Sequence, residues 1–341
     1  MLTCSVVGAT GYTGSELIRI LSKHPRVKIA YLTTRSEEKI KASALVPSLA
    51  KTSDYVIEKK NLKQVARDSD AVFLALPHTG AMEVTRELLR QDKVVIDLSA
   101  DFRLNDTRIY REWYGVKHTQ AALLKESVYG LPEIYRERIK EARLIANPGC
   151  YPTGVILGLF PLIKHRLINF NSIVVDSKSG VSGAGKKLSL AVHFSEVNEN
   201  FGAYKVNQHQ HMPEIAQVLN DVSVTEEVRF TFVPHLLPLT RGLLSTIYAE
   251  KRSGVKPQEV VKAFQNAYES EPFVRFRGEG IFPSVRDVQY TNFCDVGVKV
   301  DPKSGRVIVI TAIDNLLKGA SGQAVQNMNV RFGFSEETAL I

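Results

Sequence analysis

A cysteine set among proline and glycine is the residue best suited to covalent chemistry in this chain of 341 residues. The stretch Asn147-Pro148-Gly149-Cys150-Tyr151-Pro152-Thr153-Gly154 places its thiol between a turn and a predicted helix that continues as VILGLFPLIKH. A helix N-terminus stabilises thiolate over thiol, and the thiolate is the nucleophilic form. The pattern therefore predicts that Cys150 is a nucleophile, whereas a small buried cysteine that only packs is the ordinary alternative.

The other two cysteines, Cys4 and Cys294, fall within predicted strands and are interpreted as packing thiols. Three widely separated cysteines argue against a disulfide framework and favour a reducing compartment. The apolar stretch ahead of the first glycines is too short for a signal peptide or a membrane span. We therefore expect a cytoplasmic protein that does not associate with a membrane.

A glycine-rich turn near the N-terminus predicts a second kind of chemistry, the binding of a dinucleotide. It lies between a predicted strand and a predicted helix, where backbone N–H groups and the helix N-terminus can meet a pyrophosphate. Its spacing is G-x-x-G-x-x-G rather than the commoner G-x-G-x-x-G, and glycines also serve tight turns and close packing. The position behind the first strand favours cofactor binding through Gly8, Thr10, Gly11, Tyr12, Thr13 and Gly14.

The residues after the second predicted strand distinguish NADP from NAD. An acidic residue there would bind the ribose 2′-hydroxyl of NAD, whereas arginine accommodates the 2′-phosphate of NADP. The stretch here contains Thr34, Arg35 and Ser36, and the first carboxylate comes at Glu37. Because hydroxyl groups beside a guanidinium suit a phosphate, we expect NADP(H). The alternative is a solvated loop with an incidental arginine.

The elements that must position these residues fall into two groups along the chain. After Tyr151, longer strands with partial alternation predict an α+β domain at 150–314 with a mainly antiparallel or mixed sheet. In the first part, near-continuous apolar strands alternate with helices, which predicts a Rossmann-type parallel sheet covered on both faces in an α/β domain at 1–149. The predicted strands of that sheet lie at 2–7, 27–32, 71–76, 93–99 and 144–147.

The formal charge of +8 bears on the class of partner. Lys and Arg are spread along the chain without a run of five or six like charges, a basic stripe or a recognition motif. Nucleic-acid binding is therefore not expected. An attraction for small anionic molecules fits the composition better.

Nine strings extend the pattern over nearly the whole chain. In order they are GATGYTGSEL, LPHTGA, SADFRL, YGLPE, ANPGCYPTG, SGVSGAGKK, NQHQHMPEI, VPHLLPLTRG and DNLLKGASGQAVQN. With these strings the sequence resembles the N-acetyl-gamma-glutamyl-phosphate reductases of arginine biosynthesis, which are similar in plan to aspartate-semialdehyde dehydrogenase. One departure is Lys186, where the family pattern usually has arginine. The resemblance implies that a C-terminal helix at 315–341 completes the first domain, and that the second domain forms a homodimer or homotetramer.

The resemblance also implies a reaction. Cys150 would displace phosphate from an acyl phosphate to form a thioester, NADPH would supply hydride, and the hemithioacetal would collapse to N-acetyl-glutamate 5-semialdehyde. We assign the acid/base to His209, with His211 as its competitor, because Pro213-Glu214 would open a helix and place the Glu214 carboxylate near an imidazole. A zinc site on these histidines is not favoured, since no further Cys/His cluster occurs.

Further contacts are expected around the reacting groups. Arg103 and Arg241 are candidates for substrate anions, since a planar guanidinium grips carboxylate or phosphate with two bonds, and a salt bridge is the ordinary alternative. A second glycine-rich loop at 179–185 is placed near the nicotinamide or the reacting phosphate. Its candidate residues are Ser182 and Gly183, and the resemblance alone adds Asn315, Gly319 and Gln323 at the nicotinamide end.

Two other acyl phosphates and one other class of protein stay open. Aspartyl phosphate is less favoured, because NPGCYPT resembles the arginine enzyme rather than aspartate-semialdehyde dehydrogenase, where an Asn directly precedes the cysteine. A carrier-bound aminoadipyl phosphate of lysine synthesis shares the motifs, and its recognition would depend on a few pocket residues. A non-catalytic dinucleotide sensor would not need Cys150 together with His209, His211 and Glu214.

Overall fold

Two compact units make up the chain in the computed structural model, which describes residues 1–341. One unit comprises Met1–Gly149 and Ala320–Ile341, and the other comprises Cys150–Gly319. The chain thus leaves the first unit immediately before Cys150 and re-enters it immediately after Gly319. None of the helices has the length and apolar character that crossing a membrane requires.

An eight-stranded sheet forms the centre of the first unit. Its strands are β1 (Leu2–Val7), β2 (Val27–Thr33), β3 (Ile40–Lys41), β4 (Val56–Glu58), β5 (Ala71–Leu74), β6 (Val94–Asp97), β7 (Ser127–Tyr129) and β8 (Leu144–Ala146). They lie in the order β3-β4-β2-β1-β5-β6-β8-β7, and every neighbouring pair is parallel except β3 with β4. The predicted Rossmann-type sheet is confirmed. Strands β3, β4 and β7 were not predicted, because each has only two or three residues and includes charged or polar ones, whereas the equally short β8 is entirely apolar.

Seven helices accompany this sheet before the chain leaves the unit. They are α1 (Tyr12–Leu21), α2 (Ala42–Leu45), α3 (Leu62–Arg67), α4 (Met82–Leu89), α5 (Thr107–Tyr114), α6 (Ala121–Leu124) and α7 (Pro132–Glu141). Strands β5 and β6 are buried along their whole length, and their side chains form one apolar cluster with Leu88 and Leu89 of α4. A strand that is apolar on both faces is stable only when both are covered, which explains the near-continuous apolar runs in the sequence.

The second unit contains a seven-stranded mixed sheet. Its helices are α8 (Cys150–Lys164), α9 (Phe194–Val197), α10 (Met212–Ser223) and α11 (Pro257–Tyr268), and its strands are β9 (Ile173–Gly180), β10 (Gly202–Ala203), β11 (Phe230–Leu237), β12 (Leu243–Glu250), β13 (Val274–Glu279), β14 (Cys294–Val300) and β15 (Arg306–Ile313). The order is β10-β11-β9-β12-β15-β14-β13, with only β9–β11 and β13–β14 parallel. The predicted mainly antiparallel or mixed sheet is confirmed.

Helix α8 is enclosed by the core of the second unit. Every residue from Tyr151 to Ile163 is buried, as expected for a helix that is apolar all round, and the helix packs against β12, β15, α10 and α11. The absence of a side chain at Gly158 allows this approach, because a Cβ there would lie 2.8 Å from Ile247 Cδ1 and 2.9 Å from Thr311 Cγ2. Cys150, the first residue of α8, is therefore held by a rigid element.

The last helix of the chain, α12 (Gly322–Arg331), belongs to the first unit. Its residues through Val330 are all buried, including four amide side chains. Hydrogen bonds satisfy much of that polarity: Asn327 Nδ2 and Gln323 Nε2 donate to the carbonyl of Gly130 at 2.8 and 3.1 Å. A short π-helical segment, Leu317–Ser321, precedes α12. Such segments often occur at functional sites.

A buried carboxyl group lies at the end of β6. Asp97 has no exposed surface, and Ser99 donates to it from its backbone N–H at 2.9 Å and from its hydroxyl at 2.7 Å. Burial first, and then the negative charge of Asp101, raise the pKa of Asp97 to about 7. The folded state therefore keeps this carboxyl protonated over a pH range in which an unfolded aspartic acid is ionised.

Replacing Asp97 with asparagine tests that burial. Between about pH 4 and pH 7 the folded protein holds a proton that the unfolded chain has released, so this group lowers the free energy of unfolding as pH rises, by at most about 1.4 kcal/mol per pH unit. Asp97→Asn should gain stability relative to wild type as pH rises, measured by urea unfolding at about pH 5 and pH 8. The exposed Asp54→Asn is the control, and identical pH dependence of Asp97→Asn and wild type would contradict the burial effect.

Candidate active site

The glycine turn between β1 and α1 has room for a ligand at a helix N-terminus. Gly8 has a φ of +88°, and a Cβ there would lie 2.5 Å from the Ala75 carbonyl oxygen. Gly14 is equally constrained, since a Cβ would collide with the preceding turn. Gly11, the N-cap of α1, would place a Cβ no closer than 4.0 Å to another atom, at Thr13 Oγ1. The protein itself requires Gly8 and Gly14, and the open space at Gly11 suits close approach of a pyrophosphate.

A cleft of about 450 Å³ in the first unit contains Gly8, Thr34 and Arg35, three of the predicted cofactor residues. Arg35 is exposed and makes no hydrogen bond or ion pair within the chain. The cleft also contains Lys59 and Lys60, which the sequence interpretation missed. They follow β4, a strand parallel to β2, so the two strands end at the same edge of the sheet. The available signal was a short apolar run, Tyr55-Val56-Ile57, followed by Glu58 and two lysines.

The carboxylates near this cleft are neutralised by lysines. Glu37, the first acidic residue after β2, forms an ion pair with Lys59. Glu58 accepts from Lys60 at 2.8 Å and from Lys39 at 2.9 Å, and these hydrogen bonds lower the pKa of Glu58 to about 2. Because each carboxylate already has a cationic partner, the field in the cleft favours an anion.

The three thiols have different environments. Cys4 and Cys294 are buried, and burial raises the pKa of Cys4 to about 12. Cys150 is the only cysteine with exposed surface. The interpretation of Cys4 as a packing thiol agrees with its burial, and Cys150 is the thiol that a reagent or substrate can reach.

The turn after β15 lies directly against Cys150. A Cβ at Gly319 would lie 2.8 Å from Cys150 Cβ and 3.2 Å from Cys150 Cα. The turn is fixed by Asp314, whose carbonyl accepts from the Gly319 N–H at 3.0 Å and whose carboxylate accepts from the N–H of Leu316 at 2.9 Å. Gly319 is expected at the cofactor. Its lack of a side chain is also needed to leave room for Cys150.

The two candidate histidines lie beside the start of α8. The ring of Tyr151, the neighbour of Cys150, has its centroid 5.2 Å from that of His209 and 5.9 Å from that of His211. The His211 N–H donates to His209 Nδ1 at 3.1 Å. As Pro213-Glu214 predicts, a helix, α10, begins here, and Glu214 in its first turn is 1% exposed. His211 and Glu214 are three residues apart at the start of that helix, so they share one face.

The charge of Cys150 contributes to the pKa of two tyrosine hydroxyl groups. Burial is the main cause that raises the pKa of Tyr204 to about 12, while a hydrogen bond with Tyr151 lowers this pKa and the charge of Cys150 raises it. Burial also raises the pKa of Tyr151, with Tyr204 and Cys150 adding to the effect. Both tyrosines therefore remain protonated at neutral pH and act there as hydrogen-bonding groups. Sequence reasoning missed Tyr204, because an isolated tyrosine in a loop carries no distinctive pattern.

The two predicted substrate arginines are buried and hydrogen-bonded. Arg103 is 5% exposed and donates to the carbonyls of Asn147 and Leu98, each at 2.8 Å. Arg241 is 7% exposed, and its Nη1 lies 3.1 Å from Asp314 Oδ2 in an ion pair. Both arginines thus hold backbone or acidic groups in place. Their contact with substrate stays a prediction.

Two of the residues expected near the nicotinamide contact each other. Asn315 Nδ2 donates to Ser182 Oγ at 2.9 Å, and Asn315 Oδ1 accepts from the Gly242 N–H at 2.7 Å. Gly183 follows in the same loop, and a Cβ there would lie 3.5 Å from Ser179 Oγ. Ser182, Gly183 and Asn315 therefore form one neighbourhood in the second unit. Gln323 lies in the first unit, and its Oε1 is buried without a hydrogen-bond partner.

Comparison with known proteins identifies the relatives of the chain. Residues 3–142 match the family model of the semialdehyde dehydrogenase NAD binding domain, and residues 150–315 match that of the semialdehyde dehydrogenase dimerisation domain. An N-acetyl-gamma-glutamyl-phosphate reductase from Pelotomaculum thermopropionicum is 53% identical over 336 residues, 98% of this chain and 96% of the relative. The chain belongs to the N-acetyl-gamma-glutamyl-phosphate reductase family. A reductase of the same name from Geobacter metallireducens is 49% identical and covers 100% of this chain and 98% of its own.

Solved structures of aspartate semialdehyde dehydrogenases share the fold of this reductase family member. The enzyme II from Vibrio cholerae, complexed with ASA, has a TM-score of 0.72 at 16% identity and covers 98% of both chains. The enzyme with NADP from Candida albicans has a TM-score of 0.72 at 16% identity, over 97% of this chain and 98% of that one. The resemblance seen in the sequence is confirmed, and the chain carries a nicotinamide-nucleotide-binding domain and a dimerisation domain.

Substituting alanine for Gly319 tests the contact between the π-helical segment and Cys150. The added Cβ overlaps Cys150, so the thiol or the turn must shift. We expect Gly319→Ala to lower the rate of Cys150 alkylation by iodoacetamide at least tenfold, measured by mass spectrometry of the labelled peptide. Gly202→Ala, at a position with no atom within 4 Å of a built Cβ, is the control. Equal alkylation rates in both variants would show that the contact does not position Cys150.

Proposed function

We propose that this chain reduces N-acetyl-L-glutamyl 5-phosphate to N-acetyl-L-glutamate 5-semialdehyde, with release of phosphate and with NADPH as reductant. The observation that carries the proposal is an accessible thiol at the N-terminus of a buried helix, with two histidines against the next residue. Full-length relatives that bear the name of this reaction support the substrate.

Cys150 performs the covalent steps in this mechanism. Its Sγ attacks the acyl carbon, the carbon–oxygen bond to phosphate breaks, and a thioester forms. The backbone N–H groups in the first turn of α8 favour the thiolate that begins the attack. NADPH, when bound, would supply hydride to the thioester carbon, and a protonated histidine of the pair would give the proton that completes the hemithioacetal. When the hemithioacetal hydroxyl loses its proton, the carbon–sulfur bond breaks, the semialdehyde leaves and the Cys150 thiolate is restored.

A histidine of the pair accepts that hydroxyl proton. His209 remains our assignment, and His211 is the competitor, with Glu214 in the same first turn of α10. A positioned general acid/base of this kind typically contributes about 10²–10⁴-fold to rate.

The residues of the first unit fit an NADP cofactor. Gly11 leaves space at the N-terminus of α1 for the pyrophosphate, with Thr10, Tyr12 and Thr13 beside it. Thr34, Ser36 and the unpaired guanidinium of Arg35 suit the 2′-phosphate, and Lys59 and Lys60 neutralise Glu37 and Glu58, the carboxylates that would otherwise repel it. The unpartnered Oε1 of Gln323 suits an amide N–H donor such as the nicotinamide carboxamide.

Assembly and location follow from separate observations. The match of residues 150–315 to a dimerisation domain supports a homodimer or homotetramer. None of the three cysteines forms a disulfide, which favours a cytoplasmic location. Aspartyl phosphate and carrier-bound aminoadipyl phosphate are the alternative substrates. The shared name of the full-length relatives supports N-acetyl-glutamyl phosphate over both of them.

A reverse-direction assay tests the reaction and the nucleophile together. Wild-type protein with N-acetyl-glutamate semialdehyde, NADP and phosphate should form NADPH, followed by absorbance at 340 nm, and aspartate semialdehyde should be a poor substitute. Cys150→Ser should lower the rate at least 10³-fold while NADP binding is retained, because serine lacks a comparable nucleophile. Cys4→Ala is the control. Phosphate-independent NADPH formation would contradict the acyl-phosphate chemistry, and substantial turnover by Cys150→Ser would contradict the role of the thiol.

Cofactor choice is tested by Arg35→Ala. Loss of charge-assisted hydrogen bonds to a 2′-phosphate removes about 1.5–3 kcal/mol, so the Kd for NADP should rise roughly 10- to 100-fold. The Kd for NAD should change by less than about twofold, since NAD has no phosphate at that position. Calorimetry or fluorescence quenching with both nucleotides measures the two values, and the exposed Arg90→Ala is the control. An equal loss for NAD and NADP would refute the phosphate contact.

A further inference from the structure

A long exposed segment separates the glycine-rich loop after β9 from strand β10. We call residues 186–201, which include the short helix α9, the arm. None of its residues is buried, and only Val192 and Val197 are half-buried. Its backbone hydrogen bonds are local, such as the one from the His193 N–H to the Leu190 carbonyl at 3.0 Å. The arm therefore has a defined backbone without a core of its own.

Large apolar side chains project from the arm into solvent. Leu188 is 95% exposed, Leu190 is 77% exposed and Phe194 is 75% exposed. Phe201, at the end of the arm, is 56% exposed, and its ring centroid lies 5.0 Å from that of His235. Ordering a backbone costs conformational entropy, which burial of apolar surface usually offsets. Several large apolar side chains on one ordered, exposed segment indicate a surface that another molecule covers.

The end of the arm lies at a half-exposed face of the mixed sheet. Helix α8 packs on one face of β12 and β15. Half-exposed side chains on the opposite face include Val174 and Tyr248, which pair across β9 and β12. Asp176, two residues from Val174, shares that face, and its Oδ1 lies 3.1 Å from His235 Nδ1. Because Phe201 contacts His235, the arm and this sheet face form one continuous surface.

The charges of the arm indicate a second copy of this chain as its partner. Lys186 and Lys187 lie at its start, Glu196 and Glu199 lie near its end, and apolar side chains lie between them. A two-fold interface requires a surface that complements itself. Two such arms placed antiparallel bring the lysines of each against the glutamates of the other. The arm also lies within residues 150–315, which match the dimerisation domain.

Other classes of partner fit the arm less well. A nucleic acid or an anionic membrane surface attracts a protein surface of positive sign. The arm instead carries two lysines and two glutamates, so its charges cancel.

The start of the arm adjoins a loop that is expected at the cofactor. Ser182 is anchored there, since its Oγ accepts from Asn315 Nδ2 at 2.9 Å. Gly183 and Gly185 follow it and are exposed, and Lys186 begins the arm directly afterwards. Glycines adopt many backbone conformations. A partner that holds the arm therefore also restricts the conformations of the loop.

We propose that the arm packs antiparallel against the arm of a second copy of this chain across a two-fold axis, and that this contact restrains the glycine-rich loop at the cofactor. The restraint on the cofactor loop rests on the proposed function. The contact between the arms is a property of the protein alone, so it is measurable without substrate.

Analytical ultracentrifugation of the full chain tests the apolar contact. Wild type should be a dimer or a tetramer at micromolar concentration. Leu190→Asp/Phe194→Asp should raise the Kd of one two-fold contact about 100-fold or more, because two charged groups would be buried in the interface. A dimer would then become a monomer, or a tetramer a dimer. The control is Val224→Asp, at an 85% exposed position of the same unit outside the arm. A monomeric wild type, or an unchanged Kd in the double variant, would overturn the proposal.

A charge exchange tests the antiparallel geometry. The arm of Lys186→Glu/Lys187→Glu carries only acidic groups, and the arm of Glu196→Lys/Glu199→Lys carries only basic ones. At low ionic strength the Kd of each variant should rise about tenfold, because like charges face each other across the axis. An equimolar mixture of the two should form heterodimers with a Kd near that of wild type, since opposite charges meet again. Absence of this recovery would overturn the antiparallel arrangement.

Steady-state kinetics in the reverse direction test the restraint on the cofactor loop. In Leu190→Asp/Phe194→Asp the KM for NADP should rise about tenfold, whereas Val224→Asp should match wild type. A dissociated variant with an unchanged KM for NADP would overturn the link to the loop. A variant that keeps its assembly while the KM for the semialdehyde rises would show that the arm covers substrate instead of a second copy, which also overturns the proposal.

Failure of the proposed function is distinguishable from failure of this inference. If wild type does not turn over N-acetyl-glutamate semialdehyde, the proposed function fails while ultracentrifugation still decides the partner of the arm. If wild type is active and the arm variants assemble as wild type does, the inference fails and the proposed function stands. Far-UV circular dichroism of each variant, unchanged from wild type, shows that dissociation is not unfolding.

Discussion

The enclosure of helix α8 is the constraint on which the rest of the second unit depends. Because residues Tyr151 to Ile163 are buried on every side, the helix cannot shift without opening the core between β12, β15, α10 and α11. Cys150, the first residue of the helix, is consequently fixed in position by the packing of the core, and so is the start of its side chain. The N-terminus of a helix favours negative charge, and this fixed end of α8 carries the sulfur of Cys150.

The groups around Cys150 are held in the same way, by neighbours that have no direct part in bond making. Asp314 accepts from Arg241, and its carbonyl accepts from Gly319, so one buried carboxylate residue aligns the turn that touches the thiol. Strand β11 aligns Tyr204 and receives the hydrogen bond of Tyr151. Buried polar groups are costly unless they are paired, and here each pairing also sets the position of a functional group.

The sequence was informative where function imposes a local pattern. Apolar runs located strands β1, β2, β5, β6 and β8 of the first sheet, and the Pro-Gly setting of Cys150 indicated a helix start, because both signals lie within a few neighbouring residues. Lys59, Lys60 and Tyr204 were missed for the opposite reason. Their importance arises from strand order and from loops that meet in space: β4 next to β2, and β10 next to β11. Single-sequence patterns do not encode such pairings.

The predicted roles of Arg103 and Arg241 show where residue chemistry is insufficient without burial. A guanidinium is equally able to bind a substrate anion or a protein acceptor, and the sequence does not distinguish the two. In the structure both side chains are more than nine-tenths buried and engaged with protein acceptors. By contrast, Arg35 is exposed and has no protein partner. An arginine held ready for a ligand must leave its hydrogen-bonding capacity unused, and by that criterion Arg35 is the better equipped of the three.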